Sequence, residues 1–547
     1  MKFLRPLSWF SCVLVLGVCL AAGRTAAAQG ERPVAVLSFA SIDQLLSDFG
    51  YLTRVGGRSD VGGFIQMAGA NFVADLDRTK PLGLIVTMEN DEPKGVAFVC
   101  VPDPSKLLRL VRERLNAEVE EVGGGVQKLD LGEGVYLRQQ GEWLFISDQA
   151  RHLAHLPADP VALLGGLEKK YSVAARLNVQ NIPSGLRDLG LFQLHAKIDQ
   201  DMRNVRLEDP ELDGPFMESA KKGFKQIANM LVQQSDQITF GWGVDAQDRH
   251  TFVDLQVTAL PGSALARLAS SLSSGQADLT GFEADGAAVT LVGATQFATG
   301  DTAPLRTLVD YLRKKSQKGL ERDSQTPAAL KDIVDQVLQV VDKTVEEGKA
   351  GVGASVMLAP KSLKFVAALH VADGRALAKA FQDLFELARQ QPSMPDVKFF
   401  ADKAGDIDLH KFTVPISDSD EDARKILGDK LDVVVGTGPH CLYFAFGESS
   451  DQLLKKVAEA SAATGSQSLP PARLHVAVRP LVAFLASLES KDDKLKKMAE
   501  AMEAASGGDT ISLGVSPLEN GLGCRLVIEE GVLEMLGKSA AASGLGD

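Results

Sequence analysis

GVGASVMLAPKSLKFVAALHVADGRALAKAF, residues 351–381, reads as a strand, a tight turn, a returning strand and a capped helix. Successive side chains of a strand point to opposite sides. Val352, Ala354, Val356 and Leu358 therefore share one face, as do Phe365, Ala367, Leu369 and Val371 on the return. Asp373-Gly374 then opens an apolar pattern at helical spacing. The same layout recurs over 82–115, 237–272 and 510–536, with helix starts at Asp103-Pro104, Gly262-Ser263 and Glu530-Gly531. Glu519-Asn520-Gly521 is its plainest turn signal.

A second pattern, one alternating strand followed by a short helix, precedes each hairpin at 33–49, 172–189, 287–312 and 472–488. Proline near the helix start of three copies fits a position where a missing N–H costs little. A third pattern, a meander whose last strand runs into a capped helix, occupies 126–153 and recurs in 406–416 with 440–457; its helix starts are Ser147-Asp148 and Ser449-Ser450. Long connecting helices are expected over 213–234 and 326–349.

This order runs twice along the chain and predicts an internally duplicated α+β protein with two similar lobes, 29–280 and 281–547. Strands joined by tight turns imply largely antiparallel β-sheets with helices packed on one face. GVYLRQQGEWLFISDQARHLAHL (134–156), followed by SVAARLNVQ (172–180), resembles a widespread uncharacterised family of exported bacterial proteins, a domain of unknown function. The resemblance lies in this strand, hairpin and helix grammar over most of the chain. It implies no activity and no site residues.

Residues 1–28 place Lys2 and Arg5 before an apolar run from Trp9 to Ala22, then Ala26-Ala27-Ala28 ahead of Gln29. That is the layout of a signal peptide cleaved near Ala28, and the run is short for a bilayer span of about 20 residues. Val18 stands before Cys19, where a lipoprotein signal wants a small residue. The expected destination is periplasmic or extracellular, with no transmembrane segment in the mature chain. The chain carries 58 Lys and Arg against 71 Asp and Glu, and the leader removes only the basic Lys2, Arg5 and Arg24. So acidic a product is repelled by phosphate backbones, which argues against nucleic-acid binding. Cys100, Cys441 and Cys524 each sit in an apolar strand-like run, where a thiol acts as a small hydrophobe; one pair in an oxidising compartment stays open.

The residues that carry chemistry are sparse. His152 and His155, three apart after a cap, share a helix face, but no third metal ligand is indicated. His370 and His475 fall inside alternating strands, and Ser59 in GGRSDVGG lacks the strand that would present a nucleophile. VVVGTGPH (433–440) reads as a turn between strands rather than a dinucleotide loop. Asp418, Asp420 and Asp422 alternate like the first ligands of a calcium loop, but Ala423 stands where glycine is wanted and Asp429 where glutamate is. The plainer reading is acidic residues at a helix N-terminus, stabilised by its dipole. GGFIQMAGANFVADL (62–76) suits a buried core helix or a flap over a groove. Aromatic residues make up 6%, too few for a carbohydrate platform.

We therefore expect no catalytic, cofactor-binding or metal residues, and no cofactor. The expected function is a non-catalytic binding or scaffolding protein whose partner is a protein or a hydrophobic ligand. One alternative is a carrier holding a lipid or peptide between sheet and helices. A second is a hydrolase assembled from distant residues.

Overall fold

The structure, a computed structural model, describes residues 32–60, 62–63, 73, 75–89, 92–115, 118–130, 134–203, 210–272, 275–277, 279–297, 303–322, 327–388, 397–417, 420–465, 467–488 and 493–542. The leader 1–28, Asp418 and most of 62–76 lie outside them. The chain is mixed α+β and divides into two compact units, one running to Asp201 with Lys225–Leu265, the other Met202–Phe224 with Ala266 onward.

The first unit builds its sheet from β1 (Ala35–Phe39), β2 (Leu82–Glu89), β3 (Glu92–Cys100), β4 (Glu118–Gly123) and β5 (Val126–Asp130). It continues with β6 (Gly134–Gln140), β7 (Trp143–Ser147), β8 (Val173–Asn178), β9 (Ser235–Asp245) and β10 (His250–Ala259). Every neighbouring pair is antiparallel, in the spatial order β4-β5-β6-β7-β3-β2-β1-β8-β9-β10. Helices α1 (Ile42–Val55), α2 (Pro104–Leu115) and α3 (Ser184–Arg203) punctuate it, together with the part of α4 (Pro210–Gln234) from Lys225 and the first two residues of α5 (Ala264–Leu272). Ser41 caps α1 by accepting from the Gln44 N–H at 3.0 Å.

One sheet face is filled by Val36, Ile85, Val96, Phe98, Trp143 and Phe145 and covered by Leu153 and Leu164. The opposite face carries Leu129, Leu137 and Leu144, packed against Leu107 and Leu108 of α2. No α-helix follows β7. Pro157, Pro160 and the left-handed Gly165-Gly166 pair allow only short 3₁₀ turns at Ala150–Leu153, Val161–Leu164 and Leu167–Lys169, which corrects the capped helix expected at Ser147-Asp148.

The second unit contains β11 (Gln276–Ala277), β12 (Val289–Gln296), β13 (Lys349–Ala359), β14 (Ser362–His370), β15 (Val397–Ala404) and β16 (Ile407–Pro415). It adds β17 (Lys430–Thr437), β18 (Cys441–Phe446), β19 (Gln467–Ser468), β20 (Ala472–Ala477), β21 (Thr510–Leu518) and β22 (Gly521–Glu529). Its main sheet, again antiparallel, runs β15-β16-β17-β18-β14-β13-β12-β20-β21-β22, and β11 pairs with β19. The helices are α6 (Ala303–Arg322), α7 (Ala328–Glu347), α8 (Gly374–Ala388), α9 (Glu421–Leu427) and α10 (Ser450–Thr464). They continue with α11 (Val478–Leu488), α12 (Asp493–Glu503) and α13 (Glu530–Ala542).

Leu279 and Phe282 both insert into the second unit's core, and the β11–β19 pairing ties 276–277 to it. Helices also cover both sheet faces rather than one. Val366, Ala368, Val434 and Ala445 pack on one side against Leu454 and Val457 of α10. On the other side Phe412 and Val435 meet Phe381 and Phe385 of α8. Consecutive buried residues, Leu409-His410 and Val433-Val434, are the mark of a strand enclosed on both sides.

The hairpin at 351–381 forms as read, with Lys361 in the left-handed conformation at its turn. Its deeper face is not the one rich in large apolar residues. Gly353, Ser355, Val366 and Ala368 are buried, whereas Leu369 on the other face is 52% exposed.

Candidate functional site

The second unit holds an open groove of about 300 Å³, at the lower end of the range for small-molecule sites, about 300–1,000 Å³. Local chain geometry creates it. Helix α7 ends at Gly348, whose φ of 64° lies in the left-handed region and whose N–H bonds to the Val345 carbonyl at 3.2 Å. A side chain there would meet the Phe297 carbonyl oxygen at 2.5 Å, so glycine lets α7 turn straight into β13.

The floor is set by strand register. Thr295 faces Ala350, Gly293 faces Val352, and Val352 in turn faces Leu369. Thr344 and Val345 of α7 and Pro471 complete the walls. Small residues hollow it out: a Cβ on Gly293 would sit 2.5 Å from the Pro471 carbonyl oxygen. The lining is apolar except at the end where β13 begins. There His370 Nε2 lies 3.2 Å from Glu347 Oε2, and Lys349 is exposed. The His440 ring stacks 6.4 Å from that of His370, its Nδ1 3.1 Å from the Ala372 carbonyl. The Thr295 hydroxyl is buried and has no hydrogen-bond partner among the described residues.

A second cavity, about 180 Å³, lies beneath α8 and is lined by Phe381, Leu384, Phe385, Phe399, His410, Phe412 and Val435. His410, 3% exposed, is held on both ring nitrogens. The Phe400 N–H donates to Nδ1 at 3.4 Å, which leaves Nε2–H to donate to Thr437 Oγ1 at 3.0 Å. Burial pushes the imidazole below its usual range, with the Asp408 charge offsetting part of that, so the ring is neutral near pH 7. Phe400 sits in a bulge of β15 between Lys398 and Asp402, with φ of 48°, and the residue is 49% exposed. A bulky residue in that conformation is strained.

The residues singled out in the sequence do not converge. His152 is buried, with Nδ1 3.1 Å from both Ser147 Oγ and Asp148 Oδ1. A relay from nucleophile through base to an orienting acid needs the serine and the acid on different ring nitrogens. Here both crowd one, and the Ser147 hydroxyl donates to the Gly95 carbonyl at 2.7 Å, so the cluster fastens the end of β7 to β3. His155 is exposed nearby, and Ser59 is exposed beside the Arg58–Asp60 ion pair. Asp420 accepts from the Ala423 N–H at 3.2 Å and so caps α9; the side chain of Asp422 is outside the described residues. Among the described residues, no three His, Cys, Asp or Glu side chains are grouped to hold a metal. No disulfide joins Cys100, Cys441 and Cys524 to one another, and burial pushes the thiol of Cys100 up. Residues 433–440 form the end of β17 and a turn closed by the Gly438 N–H on the Cys441 carbonyl.

Sequence reading missed both cavities. Their only local signals were Gly348 and Gly351 at the start of β13, and the phenylalanines at 381, 385, 399 and 412. No described helix is long and apolar enough to cross a membrane. Comparison of the chain with protein-family models, curated proteins and solved structures returns no match.

Proposed function

We propose that this is an exported, internally duplicated, non-catalytic binding protein that carries an apolar ligand in the groove of its second unit. The duplication is supported by the two strand orders, in which β1, β2, β3 and β4 to β7 correspond to β12, β13, β14 and β15 to β18, and β8 to β10 correspond to β20 to β22. Export rests on the leader at 1–28 and on the resemblance to the exported family. The observation that carries the function is the open groove itself, with Leu369 half out of solvent on its floor. An exposed apolar concavity of this size gains free energy when filled, at roughly 25 cal/mol per Å² covered.

Protein recovered from the exported fraction of its host, beginning at Gln29, is expected to bind an uncharged naphthylamine fluorophore with saturable enhancement. Ala350→Trp, at an exposed position in the groove lining, fills the space and abolishes the signal while the circular dichroism spectrum is unchanged. Undiminished binding by that variant would place the ligand elsewhere.

A further inference from the structure

We infer that the ligand is a lipid bound singly, with one straight hydrocarbon chain laid across the strands from β18 to β21 and its middle over the groove. This rests on the reading of the groove as the ligand site and adds the class of ligand and the path of its chain. The first support is a register row. Phe444 of β18 faces Ala367 of β14, which faces Ala354 of β13. Ala354 faces Leu291 of β12, followed by Leu474 of β20 and Leu513 of β21. Residues paired across a ladder share a sheet face, so six neighbouring strands present one unbroken apolar line. None of the six is buried: Phe444 is 40% and Leu513 37% exposed, and the other four are half-buried. Leu369, two residues along β14 from Ala367 and on the same face, is half out of solvent and lines the groove. The line therefore continues the groove's floor.

The second support is width. Neighbouring rows on one sheet face lie two residues, about 7 Å, apart. On one side of the line the next row, with Val352 and Gly293, is walled by Thr344 and Val345 of α7. On the other side Ile511 packs against Val478 and Val482 of α11. The far end of α11 reaches the β13–β14 turn, where the Lys361 N–H donates to Ser487 Oγ at 2.9 Å. The strip left between the two helices is too narrow for another helix, about 10–12 Å across with its side chains. An extended peptide brings backbone N–H and C=O groups that this apolar floor cannot pair. A hydrocarbon chain is thin enough to enter and asks for no hydrogen bond.

The third support is length. From Phe444 to Leu513 the line crosses five strand gaps, about 24 Å at about 4.8 Å each. One leaflet's chains fill about half of a hydrocarbon core about 30 Å thick, so a whole lipid chain fits along the line. The groove alone, about 300 Å³, has the volume of about ten waters at about 30 Å³ each, or roughly ten methylenes. The two descriptions of the site therefore differ in the chain length at which affinity stops rising.

Displacement of the naphthylamine fluorophore by straight-chain fatty acids of eight to eighteen carbons tests this on the full chain. Tightening is expected to continue past ten carbons at about twofold per methylene, since a chain on an open floor is covered on one side and gains about half of what full burial gives. Phe444→Gln and Leu513→Gln, neutral changes at exposed positions at the two ends of the line, are each expected to weaken octadecanoate roughly fivefold. Both leave octanoate, the fluorophore and the melting temperature of the free protein unchanged. Affinity that levels at ten carbons, or octadecanoate bound normally by both variants, overturns the chain's path but leaves the apolar groove standing. A lipid-free dimer in sedimentation that Leu513→Gln splits would show a second copy covering the line, and overturns the path equally. Failure of the fluorophore and of every acid to bind overturns both readings.

Discussion

The two sheets close their inner faces with opposite divisions of labour. In the first unit the strands supply the bulk: Phe98, Trp143 and Phe145, with the rings of Phe98 and Trp143 edge-on at 5.5 Å. The layer above is thin, no more than 3₁₀ turns contributing Leu153 and Leu164. In the second unit the strands supply small residues, Gly353, Ser355, Ala368 and Ala445, and the layer above is thick. It comprises α10 with Leu454 and Val457, and Phe282 pushed down from a 3₁₀ turn. The Ser355 hydroxyl donates to the Phe282 carbonyl at 2.5 Å and holds that turn in place. Close packing fixes the sum of the two layers and not either one, so a sheet can trade side-chain volume for the size of what covers it.

The largest test of that trade removes the principal filler from each side. Phe145→Ala and Phe282→Ala are each expected to cost about 3–5 kcal/mol, read by hydrogen exchange with peptide resolution. Phe145→Ala should raise exchange across β3 and β7 only, and Phe282→Ala across β13 and β14 only. Exchange rising equally in both units after either change would mean the two cores are not separately filled.

A smaller effect addresses the cavity that receives Phe282. A Cβ on Gly353 would lie 2.4 Å from Phe282 Cδ2. Gly353→Ala therefore overpacks the site, at about 1–3 kcal/mol by urea denaturation. Paired with Phe282→Leu it should cost less than the sum of the two single changes, because the shorter side chain makes room. Strict additivity would show that the glycine serves the backbone rather than the ring.

What sequence could reveal follows from the same contrast. Period-two alternation over 351–371 gave β13 and β14 and the hairpin between them, because alternation is set by the pleat and not by what lies above. It could not say which face is deeper: Val352, Ala354 and Leu369 look like core, yet the small residues opposite are buried because Phe282 and α10 arrive from elsewhere in the chain. The outer strands escaped notice for a different reason. β4 reads EVEEVG, and β15 carries Lys398, Asp402 and Lys403, the charged composition that protects a sheet edge. The helix expected after β7 failed on the prolines at 157 and 160, whereas the corresponding stretch after β18, free of them, became α10. The helices after β8 and β12 also run on to Arg203 and Arg322, past the short spans read from periodicity. The groove was invisible because its walls come from β12, β13, β14, α7 and Pro471, which no window of sequence brings together.

The smallest effect distinguishes the units by the sign of a pH slope. In the second unit burial holds His410 below its ordinary value of 6.5. The unfolded chain thus takes up this proton more readily than the folded one. The contribution of neutral His410 is complete above pH 6.5 and declines as pH falls toward the depressed folded value. In the first unit Asp48, 3% exposed on α1, is held above its ordinary 3.8 by burial, with hydrogen bonds to Ser172 and Gln44 offsetting only part. Its folded form keeps the proton longer, so its contribution is complete below pH 3.8 and declines as pH rises through the raised value. Hydrogen exchange corrected for the intrinsic pH dependence of amide chemistry should therefore show β16 and β17 loosening as pH drops below 6.5, with α1 tightening as it approaches 3.8. His410→Gln should flatten the first response and Asp48→Asn the second. A parallel slope in both units, or one that survives its own substitution, would assign the titration to other groups.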